Sequence, residues 1–461
     1  MTRAERFSVA ALGVLVVGLA LHNAAMAQLW EVGVRGNALD AVAAWKEAVL
    51  LVALVGAGFS VRRLPAVRAA DALALVYAAV IVVYALLPGD WLDGGATVRG
   101  ELLALRHHLL PVAGYALGRL VGEAWSSRRS LGNLVALTAV GLAIVGLLDL
   151  GLVSLQAWRE SGVPGWYREQ LGLDYEGLSG LPENWVFNTG DEENPLRRLV
   201  STFLSPLASA YVFVVGLLYV LSRPFRWWWG LTALLLYVAL LYTHTRAAFA
   251  ALAVGLVVLA LAQRRAAPAV LAVVSVAVGA AFLLAYPSIG PSTSYTPAEL
   301  EWLRQNAQEN PGVGAGAFDP DDASTASHWR NLRDGLREVW ATPEGYGLGN
   351  AGVVAKRTGV EIRGGESTYV ELGIDAGIAG LAAFVLWSLA LLRGLWRREP
   401  WLVAAFAAVL LLGLQTDIIG VHWLAVTLWA AAGLALARPV EARAMGAGPV
   451  AASRGRRADP E

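Results

Sequence analysis

Residues 205–268 read SPLASAYVFVVGLLYVLSRPFRWWWGLTALLLYVALLYTHTRAAFAALAVGLVVLALAQRRAAP. The stretch holds three apolar runs, 205–222, 227–243 and 247–263. Each is close to the length of about 20 residues that a helix needs to cross the hydrocarbon core of a bilayer. Arg223 and Arg226 part the first two runs, and Arg264 and Arg265 end the third. Only Thr243-His244-Thr245-Arg246 separates the second from the third, so these two form a tight helical hairpin. A bilayer offers backbone polar groups no water, and runs this long without period-two alternation are read as helices.

The pattern continues in both directions. Further apolar runs lie near 7–29, 43–60, 70–88, 107–122, 131–155, 267–286, 368–391, 400–418 and 420–437, which makes about twelve spans. The chain is 57% hydrophobic and only 16% charged, with a mean hydropathy of +0.54. Soluble domains carry about 25% charged residues. The sequence therefore predicts an all-α polytopic membrane protein, with a single transmembrane domain over 1–437 and a basic tail over 438–461 expected to be disordered. Alternate short loops are basic: Arg62, Arg63 and Arg68; Arg128 and Arg129; Arg223 and Arg226; Arg264 and Arg265; Arg393, Arg397 and Arg398. The positive-inside rule puts these loops in the cytoplasm together with both termini, as an even number of spans requires. Ala25-Met26-Ala27 has the form of a signal-peptidase site after an apolar core. We read the first run as a retained helix.

Net charge is zero, so no global basic field draws the chain to nucleic acid. Cysteine is absent, which excludes disulfides and thiolate chemistry. Six scattered histidines spell out no metal site, and neither a metal nor a cofactor is expected. No internal repeat is visible of the kind that inverted-repeat transporters carry.

Two long loops, about 156–204 and 287–366, fall on the other side of the membrane by the same rule, and both are net acidic. Thr296-Pro297-Ala298-Glu299 predicts a capping box opening a helix. Residues 327–341 predict an amphipathic helix with Trp329, Leu332, Leu336 and Trp340 on one stripe, suited to the membrane interface, and Arg330, Arg333, Asp334 and Arg337 on the other. Residues 308–326, rich in Gly, Pro, Asp and Ser, read as a mobile loop tip.

Polar groups at membrane depth are functional candidates. Arg197 and Arg198 lie where the first long loop re-enters the membrane, followed by Ser201, Thr202 and Ser205. Charge alone leaves a phosphate cradle and interfacial snorkelling equally open. Arg246, with His244 beside it, sits in a hairpin on the side where the positive-inside rule disfavours arginine. An anionic ligand or a structural ion pair would explain it. Glu366 falls at the start of the helix after the second long loop, with Ser367, Tyr369 and Glu371 close behind. It reads either as an N-terminal cap or as a general base. Lys46 near the outer end of the second run, and Arg99 and Arg106 before the fourth, add charge on the same side.

At these positions the chain resembles the bacterial O-antigen ligase/polymerase superfamily of polytopic glycosyltransferases. The family's Arg-x-x-[Gly/Ser]-x-Phe-x-x-Pro element is similar to Arg198, Ser201, Phe203 and Pro206. Its Thr-x-[Ser/Thr]-Arg-[Gly/Ala] element is similar to Thr243, Thr245, Arg246 and Ala247. Its glycine-rich element resembles Thr342-Pro343-Glu344-Gly345-Tyr346-Gly347-Leu348-Gly349, with Thr342 in place of His. Its last element resembles Glu366-Ser367-Thr368-Tyr369-Val370 and Asp375-Ala376-Gly377-Ile378-Ala379-Gly380-Leu381. Ligases carry His-Asn where this chain has Glu366-Ser367, and that tilts the resemblance toward polymerases of O-antigen or exopolysaccharide repeat units.

The resemblance implies a GT-C-like fold in the bacterial inner membrane with a periplasmic site. It further implies metal-independent, inverting glycosyl transfer from a glycan on undecaprenyl diphosphate to an acceptor glycan, either a lipid-linked repeat unit or lipid A–core. Arg198 and Arg246 would stabilise the departing diphosphate, and Glu366 would take the acceptor proton. Arg197, Ser367, Tyr369, His244, Arg330, Arg106 and Lys46 would contact substrate. Membrane lipids and a chain-length regulator are the further expected partners. A ligase acting on lipid A–core, or a protein O-oligosaccharyltransferase, is the alternative within the resemblance, and a lipid-linked oligosaccharide flippase or transporter is the rival reading.

Overall fold

The computed structural model describes residues 3–60, 66–87, 91–122, 128–187, 195–309 and 323–437. The expected tail at 438–461 and most of the loop tip at 308–326 lie outside the described residues. Every apolar run is a helix. These are α1 (Arg3–Glu31), α2 (Trp45–Ser60), α3 (Ala69–Leu86), α4 (Val98–Val121), α5 (Arg128–Leu152), α6 (Pro206–Leu221), α7 (Trp227–Tyr242), α8 (Arg246–Gln263) and α9 (Ala267–Ile289). After the second long loop, with its own α10 (Pro297–Glu309), α11 (Ala323–Ala341) and α12 (Gly352–Thr358), come α13 (Thr368–Leu395), α14 (Pro400–Leu412) and α15 (His422–Ala437). Six of the helices are long and apolar enough to cross a membrane, and four more are shorter apolar helices. The protein is a multi-pass, all-α membrane protein.

Helix pairing in lipid depends on close backbone approach at small residues. Gly114, Gly118 and Gly122, one turn apart on α4, face α15, and a Cβ on Gly118 would sit 2.0 Å from the Ala430 carbonyl oxygen. Gly433 answers from α15, where a Cβ would sit 2.1 Å from the Tyr115 carbonyl oxygen. At one end of this pair Arg119 reaches Asp71 of α3 through Nε and Nη2, each at 2.8 Å, and Nη1 donates to the Leu436 carbonyl at 2.6 Å. Tyr115 donates to the same carboxylate at 2.6 Å. Neither the pairing nor the clamp follows from the sequence, since hydropathy does not say which helices meet.

At the opposite end of the bundle the long loops fold into a cap. The first contributes Leu155, Trp166, Leu178, Leu181 and Trp185 to a small buried core with Met26 of α1 and Tyr295. A two-stranded antiparallel ribbon, β1 (Val186–Phe187) and β2 (Leu196–Arg197), closes this loop before it re-enters the bundle. The predicted capping box is present: Glu299 accepts from the Thr296 N–H at 2.8 Å, and the Thr296 hydroxyl accepts from the Glu299 N–H at 3.3 Å. Glu299 also receives Arg159 at 2.6 Å, which ties the two loops together.

Two expectations change. The amphipathic helix α11 turns Leu332, Gly335, Leu336 and Val339 toward α13, with Gly335 against Val370 and Gly373 against Val339. Trp329 and Trp340 stay outside, 67% and 73% exposed, because a helix face only about 100° wide cannot carry the whole stripe inward. The run taken as 400–418 stops as a helix at Leu412, and 413–421 form an irregular turn that supplies polar groups.

Candidate functional site

The span α13 is broken where its sequence reads Asp375-Ala376-Gly377. Ala376 and Gly377 are non-helical, and Gly377 holds φ 62° and ψ −174°. The break frees backbone groups at depth, and the glycine-rich loop fills it. The Ile378 N–H donates to the Pro343 carbonyl at 2.8 Å, and the Tyr346 N–H donates to the Ile374 carbonyl at 2.7 Å. A Cβ on Gly345, φ 74°, would lie 2.5 Å from the Gly377 nitrogen. The two motifs that the sequence holds thirty residues apart are one interlocked piece of backbone.

A cavity of about 1240 Å³ lies beneath the cap, lined on this side by residues that flank the interlocked piece, Glu338 and Gly352 about the loop and Glu371 before the break. Its lining draws cations from α2, α4 and α12, namely Lys46, Arg99, Arg106, Lys356 and Arg357. Lys46 and Arg106 share Glu47, at 3.5 and 3.4 Å. Burial, with the charges of Arg106 and Arg99 added, holds the Arg357 guanidinium below its ordinary range, so these cations crowd one another. Carboxylates come from other elements: Glu338 of α11, Glu366 before α13, Glu371 on its first turn, and Asp417 in the 413–421 turn. With Asp40, Asp334 and Arg363 also on the wall, the cavity presents both signs of charge, an arrangement suited to a ligand with both an anionic part and hydroxyl groups.

Glu366 stands at φ 65°, and this left-handed backbone turns its side chain into the cavity. His328 Nδ1 lies 2.8 Å from Glu366 Oε2. The hydrogen bond from His328, joined by one from Asn331, holds this carboxyl below the usual carboxylate range.

Of the ten residues to which the resemblance gave a role, Glu366, Lys46 and Arg106 meet on this cavity. The other seven are not among its lining residues. Arg198 turns into the hairpin, with Nε on the Thr243 carbonyl at 2.8 Å and Nη2 on the Thr245 hydroxyl at 3.2 Å. Burial, with the charge of nearby Arg246 added, lowers its guanidinium to about 10. The two arginines are thus close enough to feel each other's charge. Tyr211 stands in the field of Arg198 and is hydrogen-bonded to Thr416, which faces the cavity. Arg198 and Arg246 are not among the residues lining the cavity that holds Glu366, so the structure does not bring the three expected residues into one pocket.

Arg197 is spent on a buried ion pair with Asp149 at 3.2 Å and on the Val153 carbonyl. His244 is stacked between Phe187 and Tyr286, 4.1 and 4.5 Å between ring centres. Ser367 donates to the Gly413 carbonyl at 3.0 Å and Tyr369 to the Leu410 carbonyl at 2.8 Å, which pins the start of α13 to the end of α14. Arg330 is exposed on α11. These five hold structure or face outward, because re-entering backbone and helix starts need their polar groups satisfied.

The structure adds residues the sequence reading passed over. His107 Nε2 lies 3.3 Å from Asp417 Oδ2, and Glu371 completes a group of three donors within 4.8 Å of one another. His108 Nε2 lies 2.9 Å from Asp375 Oδ2. The signal available was the polar run Gln415-Thr416-Asp417 and the pair His107-His108, both inside segments counted as membrane spans.

Residues 231–385, from α7 to the middle of α13, match the family model for O-antigen ligase. The search of curated proteins returned no match.

Proposed function

From the match of residues 231–385 to the O-antigen ligase family model, which supports the resemblance to the O-antigen ligase/polymerase superfamily, we propose that this membrane protein is an enzyme that polymerises glycan repeat units carried on undecaprenyl diphosphate. The observation that carries the reading is a carboxylate, Glu366, held ionised on the wall of a cavity whose cations come from separate helices. Glycan hydroxyls are poor nucleophiles, and a positioned carboxylate that accepts the acceptor's proton makes one competent. As the bond from the anomeric carbon to the diphosphate breaks, negative charge grows on the leaving group. Arg198 and Arg246 are the cations assigned to it. Among the described residues the hydrogen-bond partners of Arg198 are neutral oxygens, which leaves its charge for a ligand. Attack on the face away from the diphosphate inverts the anomeric centre. Lys46, Arg106 and Arg357 are assigned to the anionic or hydroxyl-rich acceptor in the cavity.

A glutamate, rather than a histidine, at the start of α13 favours repeat-unit polymerisation over transfer to lipid A–core. Purified protein in liposomes, given only lipid-linked repeat units, is expected to build a ladder of products. Growth only when lipid A–core is added would make it a ligase, and translocation of unchanged repeat units would make it a flippase.

The hydrogen bond from His328 makes a pH prediction with a definite sign. Its loss in His328→Ala lets the Glu366 carboxyl rise toward its ordinary value. The base is then protonated over a wider acidic range, and the acid limb of the pH–rate profile moves to higher pH. An acid limb that does not move would remove Glu366 from the role of base.

A further inference from the structure

We propose that His107, Glu371 and Asp417 bind one divalent cation at the foot of the cavity. This goes beyond the transfer reading above, in which arginines meet the charge of the leaving group. The three residues come from α4, α13 and the 413–421 turn, and each offers one donor atom within 4.8 Å of the others. The His107–Asp417 separation of 3.3 Å is already that of two ligands on one metal, since bonds near 2.1 Å in a tetrahedral arrangement put donors about 3.4 Å apart.

The unused oxygens are held as ligand shells require. Asp417 Oδ1 accepts the N–H groups of Ile419 and Gly420, at 3.0 and 2.9 Å, which leaves Oδ2 aimed at His107. The Glu371 carboxylate accepts the backbone N–H of Glu366. Backbone stands close on both sides. A Cβ on Gly352 would fall 2.3 Å from the Glu371 carboxyl carbon, and one on Gly420 would fall 2.2 Å from Asp417 Oδ2. Asp375 is already taken by His108 and by the Asn350 N–H, so it stands behind the site as a further negative charge. Two carboxylates share one imidazole, and a cation balances them. All three donors line the cavity, which leaves the remaining coordination positions open to water or to a glycan hydroxyl.

One imidazole and two carboxylates suit Mn²⁺ or Zn²⁺. The ion would bridge α4, α13 and the 413–421 turn, and through the bond from Glu371 to the Glu366 N–H it would fix the backbone that carries the base.

The test is binding, which needs no glycan, so its failure is separate from failure of the transfer reading. Tag-free full-length protein in nanodiscs is stripped with chelator. It is then titrated with Mn²⁺, followed by the loss of the free-ion electron paramagnetic resonance signal, and with Zn²⁺, followed by equilibrium dialysis and elemental analysis. We expect one saturable ion per chain. His107→Ala and the near-isosteric Asp417→Asn should each weaken binding by about 10- to 100-fold. Asp334→Asn, at another cavity carboxylate, should leave it unchanged. The thermal melting point of the unaltered protein should rise with added ion. Absence of stoichiometric binding by the unaltered protein, or equal binding by Asp417→Asn, would overturn the proposal and leave a shared proton in place of the cation.

Discussion

Glu366→Gln is expected to cut polymer formation by about 10²- to 10⁴-fold while the protein inserts and purifies as before, because the substitution keeps shape and removes only the proton acceptor. Arg246→Ala should cost about 10²- to 10³-fold through the unmatched charge on the leaving diphosphate. If both act on one chemical step, the double variant should fall little further than the worse single variant. The measurement is product length from reconstituted protein, with melting temperature and gel-filtration profile as controls on folding. The absence of Arg198 and Arg246 from the cavity lining gives the comparison its force. Should Arg106→Ala or Lys46→Met be as damaging as expected of Arg246→Ala, while Arg246→Ala retains long polymer, then the cavity's own cations receive the diphosphate. The arginine pair would then be a structural brace for the hairpin. Long polymer from Glu366→Gln would remove the carboxylate from the chemistry altogether.

The sequence carries the helices because bilayer thickness imposes a length that few soluble segments satisfy, and all the apolar runs, including those at 7–29 and 227–243, fold as helices. It also carries the capping box at Thr296 and Glu299, since that device is local. The site is only partly visible in this way. Glu366 stands out by its place at a helix start and by the family resemblance. Arg197 looks equally suited to bind phosphate, yet its partner Asp149 lies 48 residues upstream, in a helix whose neighbours hydropathy does not specify. His107, Glu371 and Asp417 are remote in sequence, and they meet only through the packing of α4, α13 and the turn that precedes α15. Asp417 is further hidden because the apolar run does not show that its helix ends at Leu412. Pair contacts between distant residues are the information a single sequence lacks.

The broken helix yields the second large effect. At φ 62° and ψ −174°, Gly377 occupies a region of backbone space open in practice only to glycine. A Cβ there would also lie 2.6 Å from the Pro343 carbonyl oxygen and 2.7 Å from both the Glu344 carbonyl oxygen and the Tyr84 hydroxyl. Tyr84 donates to that same Glu344 carbonyl at 2.7 Å, so there is little slack for these atoms to withdraw. Gly377→Ala therefore meets both strain and collision, and about 2–4 kcal/mol of destabilisation is expected. Gly141→Ala is the matched control. It lies in α5 with nothing within 4 Å of its Cβ, and by helix propensity it should be neutral or slightly stabilising. The loop at 342–349 and the break in α13 are joined through this backbone, on the helix whose start follows Glu366. Transfer should therefore be lost in Gly377→Ala even at temperatures where the protein stays folded. Thermal melting in detergent and polymer synthesis below the melting transition measure the two effects separately. Full activity together with an unshifted melting temperature would mean that the break in α13 is not held in the form described.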